Sequence, residues 1–196
     1  MPYGVVGATI SMLVQAGLSL GADATFNRIQ YRFQDFCVAS PLRALDYMIG
    51  LSLGEITFVA PSLVVLLALL AYLGLIGLNL PLLTVVMFLA WVSSSALGFF
   101  LSTYILQSRS AFSLTALVAT LLTVIPPVYY PIEIIPGDYR FLAYLLPTTH
   151  LSILMQSTLG IKTFGLTQLE LSWGVLIAYT VFFLALASFK ARWRQP

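Results

Sequence analysis

The sequence has very few charged residues, one cysteine and one histidine. Of its 196 residues only 8% are Asp, Glu, Lys or Arg, whereas 60% are hydrophobic and the mean hydropathy is +0.97. Soluble domains carry about 25% charged residues, so this composition excludes an ordinary soluble domain. It predicts an all-α integral membrane protein that crosses the bilayer several times and forms a single transmembrane domain.

The scarcity of cysteine and histidine limits the chemistry that the chain can perform. Cys37 alone excludes a disulfide within the chain and a metal site built from several thiolates. His150 alone excludes a metal site of several imidazoles. We interpret Cys37 as a packing residue and His150 as an interfacial or loop residue, and we expect no metal, no cofactor and no nucleic acid partner.

The sequence argues against two classes of enzyme that are recognised by short motifs, P-loop ATPases and serine hydrolases. Neither lysine follows a glycine, so the pattern G-x-x-x-x-G-K-[ST] is absent and the chain cannot hydrolyse ATP by that route. The pattern G-x-S-x-G occurs at residues 17–21 and 50–54, but both matches lie in apolar helical runs, and His150 is expected at the opposite membrane face. We therefore expect no catalytic residue and interpret these glycines as sites of close helix packing.

Five segments are long and apolar enough to cross a membrane, and we expect a bundle of five transmembrane helices. They are residues 3–22, 56–78, 82–106, 111–131 and 173–189. Pro126 and Pro127 interrupt the fourth segment, and together with Tyr130 they form a candidate gate or hinge. The structural alternative is a simple bend. The hydroxyl residues Ser93–Ser95, Thr115, Thr120 and Thr123 either line a polar path or bond within their helices.

The fourth and fifth segments are joined by a connection that is too apolar to be a simple loop. Residues 138–160 contain two short helices, with Pro147 ending the first and Thr148 or Thr149 capping the second. Both are too short to cross the bilayer and too apolar to stand in water. We predict an outer re-entrant or interfacial helical hairpin.

The polar segment, residues 25–55, holds six charged residues in an otherwise apolar part of the chain: Arg28, Arg32, Asp35, Arg43, Asp46 and Glu55. Its apolar residues recur at helical spacing, which predicts an amphipathic helix over residues 26–38 on the membrane surface; these residues are Phe26, Ile29, Phe33, Phe36 and Cys37. Ser40 and Pro41 then predict the start of the next helix, with serine as its N-cap.

Glu55 is the candidate buried charge, because it is expected at or just inside the membrane interface. Its expected partner is Arg109, the next charged residue in the chain, or another basic residue at the cytoplasmic end. A role in transmitting motion or lining the path is an alternative. A proton relay is a weaker one, because we expect no second carboxylate within a span.

The distribution of Lys and Arg predicts the orientation. Seven lie on one side of the membrane in this arrangement, namely Arg28, Arg32, Arg43, Arg109, Lys190, Arg192 and Arg194; Arg140 and Lys162 lie on the other. The polar segment and the C-terminus are therefore expected in the cytoplasm, and the N-terminus and the hairpin outside.

Two stretches carry a family resemblance. Residues 33–50, FQDFCVASPLRALDYMIG, resemble the first cytoplasmic loop of ABC-2 type exporter permeases, where Ser/Thr-Pro-Leu follows an amphipathic coupling helix. Residues 126–136, PPVYYPIEIIP, with LLPTT at 145–149, resemble the outer region of the same family. Such permeases usually have six spans, and this chain resembles spans two to six, which predicts either a truncated gene or a five-span variant.

The resemblance implies a membrane-spanning permease of an ATP-driven exporter in the plasma membrane. Its partners would be two copies of a cytoplasmic ATP-binding subunit and a second permease, most simply a copy of itself. The ATPase-coupling interface would comprise Arg28, Arg32, Phe33, Asp35 and Phe36 on the coupling helix. The alternatives are an ion-coupled secondary transporter or channel, which needs intramembrane charges, and a membrane-embedded enzyme, which needs a polar cluster.

Overall fold

The computed structural model describes residues 2–76 and 79–190, with the side chains of Gln34, Asp35, Val38 and Lys190 left aside. Within these ranges the fold is all-helical and contains no strand. The α-helices are α1 (Pro2–Ile29), α2 (Phe33–Ala39), α3 (Ala44–Tyr72), α4 (Leu80–Ser102), α5 (Ser108–Val124), α6 (Arg140–Tyr144), α7 (Pro147–Thr158) and α8 (Leu166–Ala185). Short 3₁₀ turns at Ile132–Ile134 and Gly137–Tyr139 precede α6, and a π-helical turn at Leu186–Lys190 extends α8.

Four helices in the described ranges are long and apolar enough to cross a membrane. They are α1, α3, α4 and the continuous helical stretch Leu166–Phe189, which begins with α8. α5 is also apolar but has 17 residues, or about 26 Å of helix, which is shorter than a hydrocarbon core of about 30 Å. The structure thus shows four spans of full length, and the count of five stays a prediction.

The central helix of the bundle is α1. In its most apolar stretch 67% of the residues are buried, compared with 6% in α3. α1 touches α4 at two glycines: a Cβ on Gly17 would lie 2.4 Å from Cβ of Ser94, and one on Gly21 would lie 2.5 Å from the carbonyl oxygen of Gly98. The predicted close packing at residues 17–21 is therefore confirmed.

The same prediction is wrong for the second glycine pair. A Cβ added to Gly50 or Gly54 in α3 would meet no atom within 4 Å. These two glycines face away from α1, because the buried positions of α3 near them are Met48 and Ser52.

The boundaries around the polar segment differ from the prediction. α1 continues to Ile29, so the expected helix over residues 26–38 is divided into the end of α1 and the seven-residue α2. The next helix begins at Ala44 rather than at Pro41. Ser40 does not cap it, because its hydroxyl donates back to the carbonyl oxygen of Cys37 at 2.7 Å. Arg43 is the N-cap residue instead, and the carboxylate of Asp46, three residues later, accepts from its backbone N–H at 3.0 Å.

The boundaries of the later segments also differ. α5 ends at Val124 rather than near residue 131, because Pro126 and Pro127 lack the backbone N–H groups that would continue the helical hydrogen bonds. Pro147 does not end a helix; it is the first residue of α7, where a missing N–H costs nothing. Thr149 does not cap α7 either, since its hydroxyl donates to the carbonyl oxygen of Ala143 in α6.

The helix ends gather into two layers. One layer, here called the basic end, contains the ends of α1 and α4, the starts of α3 and α5, and α2; Arg28 at the end of α1 donates to the carbonyl oxygen of Ile105, between α4 and α5. The other layer, the hairpin end, contains the start of α1 and residues 125–165, joined where Tyr129 donates to Ser11 at 2.7 Å. The bundle therefore separates the polar segment from the hairpin by its full length.

Candidate functional site

The corner between α1 and α3 is an exposed part of the basic end. Phe33 is 51% exposed and Phe36 is 73% exposed, and Tyr31 and Arg32 beside them are also exposed. We call Tyr31, Arg32, Phe33 and Phe36 the corner surface. The sequence prediction did not select Tyr31, and the role of Arg32, Phe33 and Phe36 in binding an ATPase stays a prediction.

The other two residues of the predicted interface are Arg28 and Asp35. Arg28 is half-buried and turns toward the carbonyl oxygen of Ile105, so it fastens α1 to the α4–α5 connection. The side chain of Asp35 lies outside the described part of the chain. Its role stays an expectation.

The corner has this shape because the helix is interrupted. Arg32 has φ of 50°, in the left-handed region that non-glycine residues rarely adopt. This break resets the helical phase between α1 and α2, so Phe33 and Phe36 no longer share a face with Phe26. Of the five apolar residues expected on one buried face, Cys37 is the member of α2 that is buried, in a cluster with Leu20, Ala24, Tyr47, Met48, Ala96, Phe99 and Ala187.

Cys37 gives a direct test of this orientation of α2. Burial raises the pKa of its thiol, and the side chain is 8% exposed. We expect a maleimide to label Cys37 in the folded protein about tenfold or more slowly than after denaturation, because both access and the thiolate fraction are reduced. The matched control is the double variant Cys37→Ala, Phe36→Cys, which moves the thiol to the adjacent exposed position and should react rapidly. Equal labelling rates at both positions would contradict the structure.

Glu55 lies about three turns inside α3 and faces α1. The hydroxyl of Ser19 donates to its Oε2 at 2.9 Å, and the carboxyl of Asp23 lies within side-chain hydrogen-bond reach. Arg109 is exposed, and no described side chain forms an ion pair with Glu55, so the predicted pairing is wrong. The assumption that no second carboxylate lies in a span is also wrong, because Asp23 belongs to α1.

This acidic pair was missed because its members are distant in sequence. Ionised carboxylates only accept hydrogen bonds, so a direct bond between Asp23 and Glu55 requires one shared proton. The one available signal was Asp23 itself, a charged residue within the otherwise apolar first segment. The Asp23 and Glu55 carboxyl groups can therefore hold one proton between α1 and α3.

At the hairpin end, the double proline break is fastened to its neighbours. Tyr129 donates to Oγ of Ser11, and its ring covers Gly7 so closely that a Cβ there would lie 2.4 Å from the ring. The Pro127 carbonyl oxygen accepts from Ser152 of α7 at 3.1 Å. Tyr130, the residue selected from the sequence, reaches only the nearby Ile125 carbonyl oxygen at 3.4 Å. The contact between the break and α1 is therefore made by Tyr129.

The predicted hairpin contains a buried polar helix. Most of α7 is buried, including His150, which is 1% exposed rather than interfacial. Its Nε2 donates to the Tyr144 carbonyl oxygen at 2.8 Å, since a carbonyl can only accept, and in the neutral ring Nδ1 accepts from Ser172 of α8 at 3.1 Å. Gln156 donates to Ser152 at 2.7 Å. These bonds fix the hairpin to α8 and to the proline break.

An ion pair closes the outside of the hairpin. Lys162, after α7, contacts Glu133, before α6, and this cation holds the pKa of the Glu133 carboxyl below its usual value. Arg140 donates to the carbonyl oxygens of Ile135 and Glu133 at 2.9 and 3.2 Å. The two described basic residues of this end, Arg140 and Lys162, thus both contact residues 133–135, just before the hairpin.

The remaining hydroxyl residues mostly bond within their own helices. The side chains that donate to a backbone carbonyl three or four residues earlier are Ser93, Ser94, Thr115, Thr120 and Thr123. Ser95 and Thr148 are buried without a hydrogen-bond partner in the described part of the chain. The described residues also contain no cluster of three or more His, Cys, Asp or Glu side chains placed to bind a metal.

Comparison with known proteins identifies one family. The family model described as ABC-2 type transporter matches residues 3–160, which include α1 to α7. No curated protein matches the chain, and no solved structure does.

Proposed function

From the premise that this chain belongs to the ABC-2 type transporter family, we propose that it is the permease of an ATP-driven exporter. Membership of the family makes the chain a multi-pass membrane protein and a permease component of a transporter. The observation that carries the finer proposal is the corner surface: exposed aromatic and basic side chains on a short helix, in a chain without a nucleotide-binding motif. A separate ATPase would then supply the energy.

The proposed assembly contains two permease chains and two cytoplasmic ATPase subunits. Each ATPase would bind one corner surface, and the second permease, a copy of this chain, would complete the path. Closure of the ATPases on ATP would move α2, and two fixed contacts would carry this movement along α1: Arg28 to Ile105 at the basic end and Ser11 to Tyr129 at the hairpin end. The bundle would switch between inward- and outward-facing states.

The protein is proposed to lie in the plasma membrane, with its basic end facing the cytoplasm. Five described basic residues belong to that end and two to the hairpin end, which agrees with the positive-inside rule; the five are Arg28, Arg32, Arg43, Arg109 and Lys190. In this orientation the N-terminus lies outside the cell and the C-terminus lies in the cytoplasm. Arg192 and Arg194 lie outside the described residues.

Contacts along α1 support a fifth crossing by α5. Near its start, the ring of Phe112 lies 6.4 Å from that of Phe26, at the basic end of α1. Just beyond its end, Tyr129 bonds to Ser11 near the other end. The interval from Ser11 to Phe26 corresponds to about 22 Å of helix, so α5 and the residues that follow it traverse most of the bilayer.

Reconstitution tests the proposal. The permease and a P-loop ATPase from the same genome are produced together, purified, placed in vesicles and supplied with ATP. The proposal expects the two proteins to copurify, and it expects transport that requires ATP hydrolysis and resists collapse of the membrane potential. Transport that proceeds without ATP and stops when the potential is removed would reject it in favour of the second candidate below.

The second candidate, an ion-coupled transporter, is favoured by one observation, the Asp23–Glu55 pair. Glu55→Gln separates the two functions, because its amide accepts from Ser19 and donates to Asp23 but cannot release a proton at neutral pH. For the ATP-driven exporter we expect Glu55→Gln to retain transport within about twofold, whereas Glu55→Leu, which loses both bonds, lowers protein stability by about 1–3 kcal/mol. Loss of all transport in a stable Glu55→Gln protein would support the ion-coupled function.

A further inference from the structure

A small cavity lies where α7 meets α4 and α8, beside α1 and α5. Its wall is mostly apolar and includes Val14, Leu151 and Leu176. The space open to the centre of a water molecule is ≈ 20 Å³. About 10–15 Å³ is enough for one water, so the cavity has room for a single molecule of that size.

Three hydroxyl groups line this cavity. Thr148, in the first turn of α7, is 4% exposed and its Oγ1 has no hydrogen-bond partner in the described part of the chain. Ser93 and Ser94 of α4 also line it. Their protons are already used, because both donate to the Ala90 carbonyl oxygen, at 3.1 and 2.8 Å. The cavity therefore offers one free donor and two oxygens that can still accept.

This combination matches the hydrogen-bonding capacity of water. We propose that the cavity binds one ordered water molecule, which accepts from Thr148 and donates to Ser93 and Ser94. Buried waters typically make about three such bonds, so the arrangement leaves no group unpaired. The N-terminus of α7 carries partial positive charge, which favours the water oxygen at this position. No charged side chain lines the cavity, so it does not suit an ion.

The proposed water joins the hairpin to α4 at a point where direct hydrogen bonds are lacking. It is independent of what the transporter moves and of how it is energised. It also explains why a hydroxyl residue stands at position 148 within an apolar wall. A buried hydroxyl with no partner is costly, whereas one bonded to water is not.

The sign of the stability change in Thr148→Val tests the proposal, because valine has nearly the same shape and lacks the hydroxyl. If the cavity holds water, the variant loses that bond and leaves the water short of a donor, so the apparent unfolding temperature falls by about 2–4 °C. If the cavity is dry, valine removes an unpaired hydroxyl and the unfolding temperature rises. The measurement is thermal unfolding of the full chain in lipid nanodiscs, followed by tryptophan fluorescence.

Two further variants make the result specific. Thr148→Ser retains the hydroxyl and should keep most of the stability. Thr158→Val, on the same helix, removes a hydroxyl that bonds to the Leu154 carbonyl oxygen at 2.8 Å, and it measures the cost of losing an ordinary hydroxyl in α7.

A double-mutant cycle tests the bridge itself. Because one water would link both helices, the effects of Thr148→Val and Ser94→Ala should be non-additive. An unchanged or higher unfolding temperature in Thr148→Val overturns the proposal, and so do additive effects in the cycle.

Discussion

Gly17→Ala and Gly21→Ala are each expected to lower the free energy of unfolding by about 2–3 kcal/mol. The added Cβ at residue 17 would lie 2.4 Å from Cβ of Ser94 and 2.7 Å from the backbone nitrogen of Ser95. At residue 21 it would lie 2.5 Å from the Gly98 carbonyl oxygen. Most of these atoms belong to the backbone and cannot rotate away, so α4 must move as a whole. The measurement is denaturant unfolding in detergent micelles.

The second glycine pair supplies a control with the opposite sign. Gly50→Ala and Gly54→Ala place the new Cβ in open space, where alanine is a better helix former than glycine by about 0.5–1 kcal/mol. We expect these two variants to be neutral or slightly stabilising. Destabilisation of equal size at both pairs would show that the Gly50 face is covered, for example by a second chain, whereas stability unchanged by Gly17→Ala and Gly21→Ala would contradict the α1–α4 packing.

The fold was predictable where composition alone decides it. A run of about 20 apolar residues must form a helix in the bilayer, because no other open structure satisfies the backbone there, and α1, α3, α4 and the helix at 166–189 were found on this basis. Their order around the core was not predictable. Glycine pairs of identical pattern lie at residues 17–21 and 50–54, and only the partner helix shows that the first pair is packed.

The predicted helix boundaries were wrong where more than one residue could mark the start or end of a helix. Ser40 and Pro41 have the sequence of a helix start, yet the Ser40 hydroxyl bonds to the turn behind it. Asp46 then supplies the bond that begins α3, three residues after Arg43. At α7 Pro147 was expected to end the preceding helix, but it is the first residue of α7. Proline and serine mark a boundary, but only the tertiary contacts decide on which side the helix lies.

The candidate site was predictable in position but not in its contacts. The corner surface was located by charge and aromatic spacing, although the break at Arg32 could not be foreseen and turned Phe33 and Phe36 outward. Tyr129 and Tyr130 are equivalent in sequence, and the contact with Ser11 singles out the first. Long-range pairs of this kind require the packed structure.

Phe36→Asp is expected to reduce ATP-driven transport about tenfold or more while leaving the bundle folded. Phe36 is 73% exposed, and substitutions at exposed positions usually change stability by less than about 0.5 kcal/mol. A buried aromatic anchor at a protein interface contributes about 2 kcal/mol or more, so placing a carboxylate there should separate the permease from its ATPase. Transport in vesicles, copurification of the ATPase and thermal unfolding are measured on the same sample.

Two companion variants decide whether the effect belongs to the corner surface. Arg32→Glu changes the sign of its exposed charge and should act in the same direction as Phe36→Asp. Leu106→Asp is the control, because Leu106 is 87% exposed at the same end of the bundle but lies in the α4–α5 connection. Its transport should stay near that of the unmodified protein. If Phe36→Asp and Arg32→Glu both keep their transport and their bound ATPase, the corner surface does not bind the ATPase and coupling must occur elsewhere on the basic end.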